Sequence, residues 1–280
     1  MSLPFIPSDA AVLVLQAACV AAPRPTPEIP LLRRVRGRAW SLVPIGSIVV
    51  VVFAIRYVSD TATGLTYLAL VAVPPLAAVA LGWTSRGSRP VAALGAVPLF
   101  VLAWVIPKTL VGEGAAALLS ALSCVTLGVL LAAVTPKAWL KAGIVLMAAA
   151  DSWLVVSDLL QAPNNALIAA HPVAGLPRLQ SVIFGSVTLG YGDLFVAALL
   201  GAVLADQLRR QQVGALLTLV FAGLFDLLFF VLSELPATVP VALALIAIEV
   251  WALVAGRRPR PVSAARRRSK PAAETPQPET

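Results

Sequence analysis

Five carboxylates interrupt otherwise apolar stretches of this chain: Asp151, Asp158, Asp193, Asp226 and Glu249. Ionisable groups are costly in such surroundings, and each is a functional candidate by default. Glu249 and Asp158 lie towards the ends of their stretches, within reach of interfacial water. Asp151 lies 13 residues from Ala138 at one end of its stretch, and Asp193 lies 13 residues from Asp206 at one end of the next. If both stretches are helices, each carboxylate is about 20 Å from the same edge. Asp226 is set equally deep and is a rival partner. Two facing carboxylates in a low-dielectric site cannot both ionise easily, so they share a proton and titrate as a unit. The ionised member can take a proton from water as it attacks a peptide carbonyl, while the protonated member hydrogen-bonds the developing oxyanion. The same pair could also carry protons or cations, or simply join two helices.

Residues around the aspartates narrow the choice. Gly190 and Gly192 bracket Tyr191 directly before Asp193. Glycines at this spacing permit local unwinding or close backbone approach, which would bring water and a substrate strand to the carboxylate. Farther on, Pro236-Ala237-Thr238 and Pro240 stand at the entrance of the last apolar stretch. Prolines there leave backbone groups unpaired, and an extended substrate could bond to such a segment. Other chemistries have little material. Cys19 and Cys124 lie in apolar runs, and His171 is the sole histidine, so neither a disulfide framework nor a His-based metal site is expected. No cofactor is called for; the nucleophile would be water.

The elements that must position these residues are membrane spans. The chain is 59% apolar and 12% charged, far from the balance of soluble domains. Its apolar blocks have the length needed to cross a bilayer. Strong spans are predicted over 40–58, 64–83, 90–106, 115–134, 138–160, 181–205, 213–233 and 236–255. Segment 9–22 makes a ninth if it is extended to Leu3, or an interfacial helix if it is not. The expected fold is therefore an all-α, polytopic transmembrane bundle of nine spans, or eight. It divides into N-terminal spans with a basic loop 23–39 (residues 1–137), spans bearing the candidate motifs (138–255), and a disordered basic tail (256–280). Pro74 and Pro75 predict a kink in the third span. With alternating loops, 18 of the 21 Lys and Arg fall on one side, leaving Arg56, Lys108 and Arg178 on the other. The basic side is expected to be cytoplasmic, with the N-terminus outside. The net charge of +8 thus reads as topology and contact with the lipid bilayer; no nucleic-acid partner is expected.

In order and spacing, Asp151, Gly190-Tyr191-Gly192-Asp193 and Pro236-Ala237-Thr238 resemble the presenilin and signal peptide peptidase family of Gly-x-Gly-Asp intramembrane aspartyl proteases. That family carries its aspartates on the sixth and seventh of nine spans and a Pro-Ala-Leu motif at the ninth. The resemblance covers residues 138–255, while the earlier spans match only in number. Ala150-Asp151 stands where the family has Tyr-Asp, and Pro-Ala-Thr where it has Pro-Ala-Leu. The resemblance implies an aspartic endopeptidase with Asp151 and Asp193 as its dyad. With the N-terminus outside, the expected substrates are membrane-protein helices with a cytoplasmic N-terminus, or leftover signal peptides. The expected location is a bacterial or archaeal plasma membrane.

Two other families share parts of the pattern. Thr188-Leu189-Gly190-Tyr191-Gly192-Asp193 looks like a potassium-channel filter with Leu for Val, although apolar span follows where a filter needs a polar vestibule. Gly190 to Ala205 also looks like the Gly-x-Gly-Asp segment of prepilin peptidases, in which case Asp158 would replace Asp151. A non-catalytic transporter is the remaining alternative.

Overall fold

The computed structural model describes residues 3–25, 37–42, 46, 50, 61–157, 165–166, 169–170, 173, 175–230 and 236–256. Most of the predicted span 40–58, Asp158, His171 and the tail from Arg257 lie outside the described residues, as does most of the basic loop 23–39. The described chain is mostly helical, with eight α-helices. In chain order these are α1 (Phe5–Ala21), α2 (Thr61–Val79), α3 (Ala96–Val105), α4 (Leu110–Val134), α5 (Lys137–Val156), α6 (Tyr191–Leu204), α7 (Leu208–Asp226) and α8 (Val239–Gly256). Three helical segments are long and apolar enough to cross a membrane: Thr61–Thr84, Leu110–Val134 and Lys137–Val156. Four more apolar helices are shorter, Phe5–Ala21, Pro90–Val105, Tyr191–Leu204 and Val239–Val254.

Local chemistry explains several boundaries. The Thr109 side chain accepts the Gly112 N–H at 3.2 Å and caps α4. Proline opens the 3-10 turn Pro90–Gly95 that leads into α3, where its missing N–H costs nothing. Pro74 and Pro75 lie inside α2, which ends in a π-helical turn over Ala80–Thr84.

The structure corrects the all-helical expectation over 181–205. Residues Ser181–Phe184 (β1) and Val187–Gly190 (β2) form an antiparallel hairpin, and helix begins only at Tyr191. Gly185, with φ of 61°, sits in the two-residue turn. The Val, Ile, Phe and Thr flanking that turn favour extended chain. A hydropathy window cannot separate such strands from helix, since both are short apolar runs. The 14-residue α6 rises only about 21 Å, less than the hydrocarbon core of a bilayer.

Helix α6 is the interior of the bundle. Leu194 and every residue from Val196 to Ala205 are buried, as suits a helix that is apolar on all sides. Helices α4, α1, α5, α7 and α8 surround it. Gly128 of α4 meets the backbone of Ala198 so closely that a Cβ there would lie 2.9 Å from the Ala198 carbonyl carbon. Small residues allow helices to approach this closely.

The bundle has two chemically different ends. At one, the Arg24 N–H donates to Thr84, the Arg86 guanidinium to Ala205 and Gln211, and Lys137 pairs with Asp206. Lys141 pairs with Glu249 at 2.8 Å near the same end. The C-terminal ends of α1, α6 and α8, the π-turn after α2 and the starts of α5 and α7 therefore lie together at a basic end. At the other, the Ser8 Oγ of α1 and the Glu113 carboxylate of α4 accept the N–H groups of Ser186 and Gly185 at the hairpin turn. From α2 to α8 the helices alternate in direction, while α1 runs parallel to α2, both finishing at the basic end.

Candidate active site

Asp193 stands at the third position of α6, immediately after the hairpin. Its Oδ2 accepts the Gly190 N–H at 3.1 Å, so the carboxylate folds back over the N-terminal turn of its own helix. A Cβ at position 190 would lie 2.8 Å from Asp193 Oδ2, so the carboxylate in this position would have to shift to admit one. Gly192, by contrast, is exposed with open space around it. Tyr191 turns inward, and its hydroxyl shares a 2.7 Å hydrogen bond with Ser123 Oγ on α4. The Cys124 thiol points at the Tyr191 carbonyl, 3.6 Å away. The Gly-Tyr-Gly-Asp turn is thus bolted to α4 through its tyrosine, with both glycines exposed.

Asp151 lies on α5, half-buried, near enough to Asp193 for the two carboxyl groups to interact electrostatically. Its Oδ2 accepts the Thr238 hydroxyl at 2.6 Å. Pro236, Ala237 and Thr238, placed by the sequence at the start of span 236–255, lie ahead of α8, which begins only at Val239. Their backbone is already occupied: the Pro236 carbonyl accepts from Val239, the Thr238 carbonyl from Ala242, and the Ala237 carbonyl from Gln16 Nε2 at 2.9 Å.

Asp226 is elsewhere. At the end of α7 its carboxyl meets that of Asp9 on α1, and its Oδ2 is enclosed with no hydrogen-bond partner among the described residues. Among those residues no group of three His, Cys, Asp or Glu side chains could hold a metal ion.

The hairpin register defines one further surface. With Phe184 opposite Val187 across a two-residue turn, Val182 and Leu189 are the next hydrogen-bonded pair. The N–H and C=O of Thr188 then point away from β1, and Thr188 is exposed, whereas the C=O of Gly190, the residue before α6, takes the first helical N–H. The Gly190 N–H follows the same alternation, turning outward to Asp193.

Sequence reasoning passed over Gln16, Ser123 and Cys124. Their signal was available: polar side chains within apolar helices tend to hydrogen-bond across helix contacts. No protein-family model, characterised protein or solved structure matches the chain, so its chemistry has to be argued from its own geometry.

Proposed function

We propose that this protein is an intramembrane aspartyl protease of the Gly-x-Gly-Asp type, with Asp151 and Asp193 as its catalytic dyad. The observation that carries the reading is that Asp151 and Asp193, on oppositely running helices, lie near enough for their carboxyl groups to interact electrostatically. Nine spans are proposed, including α1 and 40–58, with the basic end in the cytoplasm. The dyad acts on water. One carboxylate removes a proton from water as its oxygen bonds to the scissile carbonyl carbon, and the other delivers its proton to the carbonyl oxygen. Collapse of the tetrahedral adduct breaks the C–N bond, with a proton passing to the leaving nitrogen. No cofactor takes part.

An unwound membrane helix offers the substrate in extended form. The outward N–H and C=O of Thr188 can pair with such a segment as an added strand, delivering it next to Asp193. This surface suits the task better than Pro236-Ala237-Thr238, whose carbonyls are engaged within the chain. The channel reading gains nothing comparable: Leu189 pairs with Val182, and the Tyr191 carbonyl meets Cys124. A filter needs those carbonyls free to replace ion hydration.

Cleavage of a single-helix membrane reporter by purified protein in detergent or bilayers tests the reading. Asp151→Ala and Asp193→Ala are each expected to abolish cleavage while leaving the protein inserted. Full activity in either variant refutes the dyad, and potassium-selective current that survives Asp151→Ala establishes the channel instead.

A further inference from the structure

Thr238 does something at this site that a substrate-binding role does not explain. It is almost fully buried, at 4% exposure, and donates its hydroxyl to the Asp151 carboxylate at 2.6 Å. Asp193 is held in a parallel way, with Oδ2 taking the Gly190 N–H. An oxygen that accepts from a backbone N–H cannot also carry the acid proton towards it. Behind Thr238 stands Gln16, with 1% exposure, whose Nε2 donates to the carbonyl of the preceding residue, Ala237, at 2.9 Å. Gln16 comes from α1, more than 200 residues away in sequence (separation 221).

We infer that Thr238 is a positioning residue for Asp151, and that Gln16 on α1 positions Thr238. The two Oδ2 atoms are anchored by protein donors, so the shared proton resides on the remaining oxygen of each carboxyl group. Gln16, the Ala237 carbonyl, Thr238 and Asp151 form a relay from the first helix to the dyad. Without the Thr238 hydroxyl the Asp151 carboxyl is free to rotate, and the pair loses the alignment on which proton transfer depends. Helix α1 then belongs to the catalytic machinery although it carries no catalytic residue.

The inference rests on the proposed protease activity, and its test separates the two. Thr238→Val, Thr238→Ser and Gln16→Leu are assayed with the same membrane reporter, with rates normalised to the folded, inserted fraction from thermal melting and size-exclusion chromatography. Thr238→Val keeps the shape and the backbone N–H but loses the hydroxyl. It is expected to lower kcat about ten- to a hundredfold with KM unchanged, the range for a hydrogen bond to a charged group. Thr238→Ser should restore kcat to within a few-fold of the parent. Gln16→Leu should lower kcat as well, and the double variant with Thr238→Val should fall no further than Thr238→Val alone. An active parent whose Thr238→Val variant keeps its kcat per folded molecule overturns the inference while leaving the dyad intact, because Thr238 then only caps α8. A rise in KM alone also overturns it, since that marks substrate binding. Absence of cleavage by the parent overturns both.

Discussion

A methyl group at position 190 would sit 2.8 Å from Asp193 Oδ2, closer than a carboxylate can tolerate. The aspartate would have to swing off the Gly190 N–H and out of line with Asp151. Gly190→Ala is therefore expected to leave the helices inserted, with a melting temperature near that of the parent, and to lower kcat/KM by about tenfold or more. Unchanged kcat/KM would mean that the Gly190–Asp193 hydrogen bond contributes nothing to catalysis. The two glycines of the motif thus have different work. Gly190 makes room for a side chain from its own helix, and Gly192 lies exposed where a Cβ would meet open space.

Helix α4 holds the site from behind. It anchors Tyr191 through Ser123, presses Gly128 against the backbone of α6, and accepts the hairpin turn through Glu113. The contact at Gly128 cannot relax by rotating a side chain, because the opposing atoms are the Ala198 carbonyl and the Leu199 nitrogen. Gly128→Val should accordingly destabilise the bundle by about 1–3 kcal/mol, the usual cost of overpacking, read as a lowered midpoint in thermal or denaturant unfolding in detergent. Gly143→Ala is the matched control. Its nearest neighbour, the Ser41 carbonyl oxygen, would be 3.8 Å from the new methyl, and alanine favours helix. Equal melting of the two variants would show that the α4–α6 approach is not tight. The hairpin is the other decisive element, since it replaces one half of a predicted span and delivers the chain to Asp193 with an exposed extended edge.

Over the whole molecule, charge is sorted by end. Arg24, Arg86, Lys137 and Lys141 are drawn together by helices that begin or finish at the same end, while Glu113 and the hairpin turn lie at the other. A protein sorted in this way should insert with its basic end in the cytoplasm. Fusion of a reporter enzyme that is active only in the cytoplasm after Thr280 should give signal, and the same reporter before Met1 should give none. The reverse pattern would invert the orientation and with it the expected class of substrate. Asp9 and Asp226 interact with each other from α1 and α7 at the hairpin end, apart from the proposed dyad.

The sequence by itself determined the apolar blocks, the asymmetry of basic loops and the equal depth of Asp151 and Asp193. Each of these is a sum or a spacing along one chain, and a bilayer acts on sums and spacings. It also marked Gly190 and the Pro236-Ala237-Thr238 turn as departures from regular helix. Contacts between distant segments were decided only by the tertiary structure. Hydropathy could not tell the Ser181–Gly190 hairpin from helix, because apolar β-branched residues suit both and the choice falls to packing against α4 and α1. Nor could depth choose between Asp226 and Asp151 as the partner of Asp193, since depth says nothing about rotation of a helix about its axis. The link from Thr238 to Asp151 spans 87 residues and that from Gln16 to Ala237 spans 221. Hydrogen bonds of that range exist only once the helices have packed.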